Sequence, residues 1–145
     1  MKNIPVLPAD TYTVINKSVI TSYDKKIITM LYQPIIGYTA VCLYNTLLDD
    51  LEKSEMMSED LTHHHLMNTM QLRLEDILIS REKLEAVGLI KTYMKKDNIN
   101  QYVYLVYSPI SANEFFNHPI LNVVLYNNLG KKEYIAMFIA IIFIV

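Results

Sequence analysis

A chain of 145 residues, 52% hydrophobic and 19% charged, makes one domain with a sizeable core and excludes a disordered polar tail. One cysteine, Cys42, excludes a disulfide framework and any multi-thiolate metal site, and fits a reducing cytoplasm. A formal charge of −2 leaves no global positive field to draw the chain onto nucleic acid. Met1–Asp10 lacks the continuous apolar run of a signal peptide.

Charge is unevenly spread. Residues 51–88 carry four basic and eight acidic side chains, whereas 89–109 set Lys91, Lys95 and Lys96 against Asp97. The middle of the chain is acidic and one short segment is basic.

Residues 1–23 hold Pro5 and Pro8, then a β-branched series from Thr11 to Thr21, and read as an extended arm with one strand. Asp24 is placed to cap a short helix through Tyr32, and Pro34 ends that helix or starts the next. Gly37, Ala40, Val41, Tyr44, Leu47, Leu48 and Leu51 recur at helical steps. A polar break over 52–59 follows, and Thr62 is a cap for a short helix with Leu66, Met67 and Met70. The spacing predicts another helix over 73–87, with Leu74, Ile77, Leu78, Leu84 and Val87 on one side and Gly88 as its left-handed stop. After Gly88 the period changes to two. Leu89–Lys96 and Tyr102–Tyr107 read as a hairpin closed by the loop 97–101. Ser111 starts a short helix through Asn117, Pro119 starts another through Leu129, and Gly130 stops it. From Lys131 the chain reads as a last helix or an apolar tail.

Three helices followed at once by a β-hairpin describe a winged helix-turn-helix. The expected fold is mainly α with a small β-hairpin and additional N- and C-terminal helices, with an arm at 1–23, the winged-helix domain at 24–130, and a terminal helix or tail at 131–145.

In such folds the helix before the hairpin is the usual groove reader. Its outward face here holds Glu75, Asp76, Ile79, Glu82, Lys83 and Ala86, three acids against one lysine. Phosphate contact needs Lys or Arg, so this face argues against major-groove reading. Glu75, Ile79, Glu82 and Ala86 form a candidate protein-contact face; the simpler expectation is that Ile79 is a lone surface residue. Arg81 falls on the core side, where a pair with Glu85 one turn on can draw it to the edge. Lys91, Lys95 and Lys96 are the candidate nucleic-acid contacts, with Tyr93 and Tyr102 nearby for stacking. The simpler expectation for these lysines is a solvated, protected hairpin edge.

No catalytic constellation emerges, and no cofactor or metal is expected. Neighbouring helical residues point about 100° apart, so His63, His64 and His65 cannot converge on one ion. His118 is too remote in sequence to join them. Cys42 has no evident base partner and reads as packing. Asp49-Asp50 and Glu59-Asp60 are adjacent pairs whose side chains diverge. The aromatic residues read as core and interface packing, with Phe115 and Phe116 as anchors joining the last helices to the wing.

Residues 134–145 are uncharged and apolar. As a helix they span roughly 18 Å, too short for a hydrocarbon core of about 30 Å. They read as a buried terminal helix, an interface between copies of the chain, or the opening of a longer segment; the interface is preferred, with Phe138, Ile141 and Ile142 as its candidates.

Several blocks together resemble a known family. They are Leu31-Tyr32-Gln33-Pro34-Ile35-Ile36-Gly37, the run from Lys83 to Tyr93, Tyr102-Val103-Tyr104 with Tyr107-Ser108-Pro109, Glu114 to Leu121, and Leu125-Tyr126-Asn127-Asn128 with Lys131-Lys132-Glu133-Tyr134. In order over about residues 10–134, they are similar to the N-terminal domain of the DnaB replication initiation and membrane attachment family, the Gram-positive helicase co-loaders related to DnaD. The resemblance implies a self-associating winged-helix module that does no bond chemistry. It implies partners within the primosome, namely DnaD-like proteins and a helicase loader. It places most DNA binding in a later domain and allows association with a membrane in an otherwise cytoplasmic protein. After Tyr134 the chain departs from the charged helix the resemblance implies. The alternative to such a module is a stand-alone winged-helix DNA-binding regulator.

Overall fold

The computed structural model describes residues 5–51 and 56–144. Its elements in chain order are β1 (Thr11–Asn16), α1 (Ser22–Ile27), a π-helical turn (Ile28–Tyr32), α2 (Gln33–Ile36), α3 (Tyr38–Asp49), β2 (Leu61–Thr62), α4 (His63–Met70), α5 (Leu74–Ala86), β3 (Ile90–Lys95), β4 (Gln101–Val106), α6 (Ala112–Phe116) and α7 (Leu121–Ile144). This is the mainly helical winged-helix architecture with a small sheet that the sequence predicts. Within the polar break, residues 52–55 lie outside the described residues.

β1 alternates strictly: Tyr12 and Val14 are fully buried, while Thr11, Thr13 and Ile15 are half-buried on the other side. The strand sits inside the sheet, whose order is β2-β1-β4-β3. It runs parallel to β4, from Thr11 opposite Gln101 to Asn16 opposite Val106, and antiparallel to β2. The segment carrying it reads from sequence as an arm; its two inward side chains place it over the core.

Thr21, not Asp24, caps α1. Its hydroxyl accepts from the Asp24 N–H at 3.0 Å, and the Asp24 carboxylate accepts from the Thr21 N–H at 3.0 Å, a reciprocal capping box. The π-helical turn comes just before Pro34, which has no N–H to give the carbonyl of Met30 and crowds it with its ring. Widening the turn there keeps the chain helical into α2.

α3 buries Ala40, Val41, Leu43, Tyr44 and Leu47. α5 buries Ile77, Ser80 and Leu84, and α4 adds His63 and Leu66. These face the inner side of the sheet, made by Tyr12, Val14, Ile90, Tyr102, Tyr104 and Val106. Each fully buried aliphatic side chain stabilises the fold by about 1.5–3 kcal/mol. Cys42 is exposed, because it points away from this stripe; packing does not account for it.

Gly88 stops α5 at φ +78°. The Gly88 N–H bonds the Glu85 carbonyl at 3.2 Å and the Leu89 N–H bonds the Leu84 carbonyl at 3.0 Å, a Schellman closure that aims the chain directly into β3. β3 and β4 then pair antiparallel in the register Ile90–Val106 to Lys95–Gln101.

Ser111 caps α6 through the Glu114 N–H. His118 begins α7: its Nδ1 accepts from the Ile120 and Leu121 N–H groups, each at 3.1 Å. α7 bends at Gly130 (φ +79°, ψ 163°), which divides it into 121–129 and 131–144. Phe115 is fully buried in the same core as the inner residues of the wing. It packs edge-on against Tyr32 at 5.2 Å, and Phe116 packs edge-on against Phe138 at 4.7 Å and Tyr134 at 6.1 Å, so they tie α6 to the π-helical turn and to α7.

Candidate functional site

Three surfaces and one buried polar cluster carry the candidate residues. On α5, Glu75, Ile79, Glu82 and Ala86 are all exposed, Ile79 by 51%. The cation at the start of this helix, Arg73, is taken up by Glu75 at 3.6 Å and Asp76 at 3.5 Å. Phosphates approaching α5 would meet carboxylates first.

The wing divides its residues by pleat. Lys91, Tyr93 and Lys95 share the outer face of β3 and all three are exposed, as is Lys96 beyond it. Across the hairpin stand Leu105, Val103 and Gln101, and across β1 stand Ile15, Thr13 and Thr11. Tyr102 is on the opposite face at 4% exposure, so it is core and cannot stack on a ligand at the wing.

The second half of α7 turns Tyr134, Met137 and Ile141 toward the domain. Of the three candidate interface residues, Ile141 is 1% exposed and packs inward, which removes it from any contact between copies. Phe138 and Ile142 remain accessible. With Ile135, Ile139 and Phe143 they form an outward apolar stripe at helical spacing. Beside it lies a cavity of about 490 Å³ bounded by Tyr23, Ala112, Phe116, Tyr134, Phe138 and Ile142. Among the described residues no helix is long and apolar enough to cross a membrane.

The three consecutive histidines part company. His63 is fully buried: its Nδ1–H donates to the Asp10 carbonyl at 2.7 Å, and its Nε2 accepts from the Tyr104 hydroxyl at 2.6 Å. Burial holds the imidazole below its ordinary pKa, and the Arg81 charge adds to this, while the bond to Asp10 opposes it. Burial likewise pushes the Tyr104 hydroxyl up to about 12, against the nearby Arg81 cation. His65 bonds Asp50 at 2.7 Å, and Asp50 also accepts from the Tyr12 hydroxyl at 2.6 Å. His64 is exposed. Among the described residues no group of histidines, cysteines and acids could hold a metal ion.

Arg81 stays on the core side that the helical wheel assigns it. Its Nε lies 3.5 Å from Glu85, but the side chain is only 19% exposed. The guanidinium sits 5.9 Å and 6.0 Å from the ring centres of Tyr102 and Tyr104. Sequence reasoning did not find the cluster of Asp10, His63, Arg81 and Tyr104. The signals were there, a histidine at a helix start and an arginine on an apolar stripe, but their meeting depends on where β1 docks.

The family model for the DnaB N-terminal winged helix domain matches residues 6–140. The chain is 30% identical over 128 residues to the replicative helicase loading/DNA remodeling protein DnaB of Staphylococcus aureus, covering 88% of this chain and 28% of that protein. It superposes with a TM-score of 0.86 on the crystal structure of residues 1–300 of primosome protein DnaB from Geobacillus stearothermophilus, at 35% identity, covering 92% of this chain and 51% of that one. The chain thus spans about half or less of the relatives it matches. Relatives named for helicase loading and the primosome do not favour the stand-alone DNA-binding regulator. A family match over nearly the whole chain, joined to the order of helices and wing described above, makes the chain a member of the DnaB N-terminal winged helix domain family.

Proposed function

We propose that this domain is a self-associating docking module of a replication initiation protein, acting in helicase loading by holding copies of itself and primosome partners together, without bond chemistry of its own. The observation that carries this is the outward stripe of Ile135, Phe138, Ile139, Ile142 and Phe143 on the second half of α7. Five large apolar side chains in one helical stripe need cover, and a second copy of the same helix supplies it with matching spacing. The acidic face of α5 supports docking of protein rather than duplex DNA. DnaD-like proteins and a helicase loader are the partners the family suggests.

Sedimentation velocity at micromolar concentration tests the reading. The intact chain should run as a dimer or larger, and Ile139→Asp/Ile142→Asp should run as a folded monomer. A monomeric parent, or a variant as associated as the parent, overturns it. Substitution is preferable to truncation, because Tyr134 and Ile141 also support the core.

A further inference from the structure

We propose that the outer face of the β3–β4 hairpin is a binding site for single-stranded nucleic acid, with Tyr93 stacking on a base and Lys91 and Lys95 meeting the flanking phosphates. This goes beyond the docking role of α7 and rests on different residues.

The placement follows from the pleat. Positions 91, 93 and 95 fall on one face of an edge strand, so the two lysines flank the tyrosine along about 13 Å of backbone. The Tyr93 ring is 56% exposed. Beside it on the same face, half-buried Val103 and Leu105 of β4 extend a shallow apolar surface. Lys91 also lies 5.8 Å from the ring centre of Tyr107, which keeps its charge at the sheet.

Charge favours a polyanion here. Among the described residues, Arg73 and Arg81 have carboxylate partners, whereas Lys91, Lys95 and Lys96 have none within ion-pair distance. Asp60 is held by the Thr13 hydroxyl two strands away, and Asp97 bonds the Asn98 N–H in the turn. A solvated edge explains exposed lysines, but not a large, half-exposed aromatic ring centred between them and continued by apolar side chains on the next strand.

The occupant is single-stranded because stacking needs a free base face, which a duplex hides. A duplex is further disfavoured by α5, whose outward carboxylates directly precede the wing. An acidic polypeptide matches the charge but has no base to stack on Tyr93.

Fluorescence anisotropy of a labelled oligothymidine of about 15 nucleotides, titrated with the full chain at about 50 mM salt, tests the site. Two lysine contacts give a log–log salt slope of about −1.4, a loss of about seven-fold between 50 and 200 mM. Lys91→Glu/Lys95→Glu should abolish binding. Tyr93→Ala should weaken it about ten-fold, while Tyr93→Phe retains it. Circular dichroism of each variant should match the parent, since all three side chains are on the surface. Any of four results overturns the proposal: no binding at low salt, unchanged affinity in folded Lys91→Glu/Lys95→Glu or Tyr93→Ala, equal affinity for the matching duplex, or equal competition by poly-glutamate. The last would reassign the face to an acidic protein.

Discussion

Acidification should weaken this fold through His63, and the size of the effect follows from its surroundings. In the unfolded chain the imidazole takes up a proton near pH 6.5. In the folded chain burial and Arg81 keep it neutral to lower pH, with Nδ1–H committed to Asp10 and Nε2 to Tyr104. Below pH 6.5 the unfolded state therefore binds more protons. Stability is complete above that pH and is lost as pH falls through it, by up to about 1.4 kcal/mol per unit. Between pH 7.5 and 5.0 the loss reaches at most about 2 kcal/mol, the limit for a ring that stays neutral throughout. Urea unfolding followed by circular dichroism at half-unit steps measures it. His63→Gln is the control. It should cost about 1–3 kcal/mol at pH 7.5, because the amide holds its donor and acceptor at different angles from the two ring nitrogens that bond Asp10 and Tyr104. It should also flatten the stability profile between pH 6.5 and 5.0 relative to the parent. Parallel profiles for parent and variant would refute the assignment of this slope to His63.

Two further outcomes are expected. Tyr12→Phe removes the 2.6 Å bond to Asp50 at the junction of β1 and α3, and should lower unfolding stability by about 1.5–3 kcal/mol in the same urea assay. Gly130→Ala should cost about 1–3 kcal/mol by thermal unfolding, from backbone strain alone, because a methyl group there meets no atom within 4 Å while φ is +79°.

What the sequence revealed was local. The change of period at Gly88 marked the end of α5 and the start of β3, and the structure places a Schellman closure there. The outward face of α5 and the pleat of β3 were legible because three or four residues on one element determine each. The seat of β1 was not legible. Alternation identifies a strand but not its neighbour, and the parallel partner Gln101–Val106 lies about ninety residues away. The buried polar cluster depends on that docking, since Asp10 precedes β1 and Tyr104 belongs to β4. The apolar run over 134–145 gave its length but not its orientation. The helical rotation that turns Ile141 inward and Ile142 outward is set by the bend at Gly130 and the contacts of Tyr134 with Phe116. The cap at Thr21 is legible in the sequence, because Thr followed three residues later by an acid is a capping box with Asp24 as its second member.

The central position of β1 sets the timetable of synthesis. The strand leaves the ribosome roughly ninety residues before the edge it must join is made. A nascent polypeptide stopped before Gln101 holds an orphan strand with Tyr12 and Val14 uncovered, and its helices lack the surface they close upon. Pairing β1 with β4 thus closes a loop of about ninety residues, and a contact so distant in sequence forms more slowly than a helix.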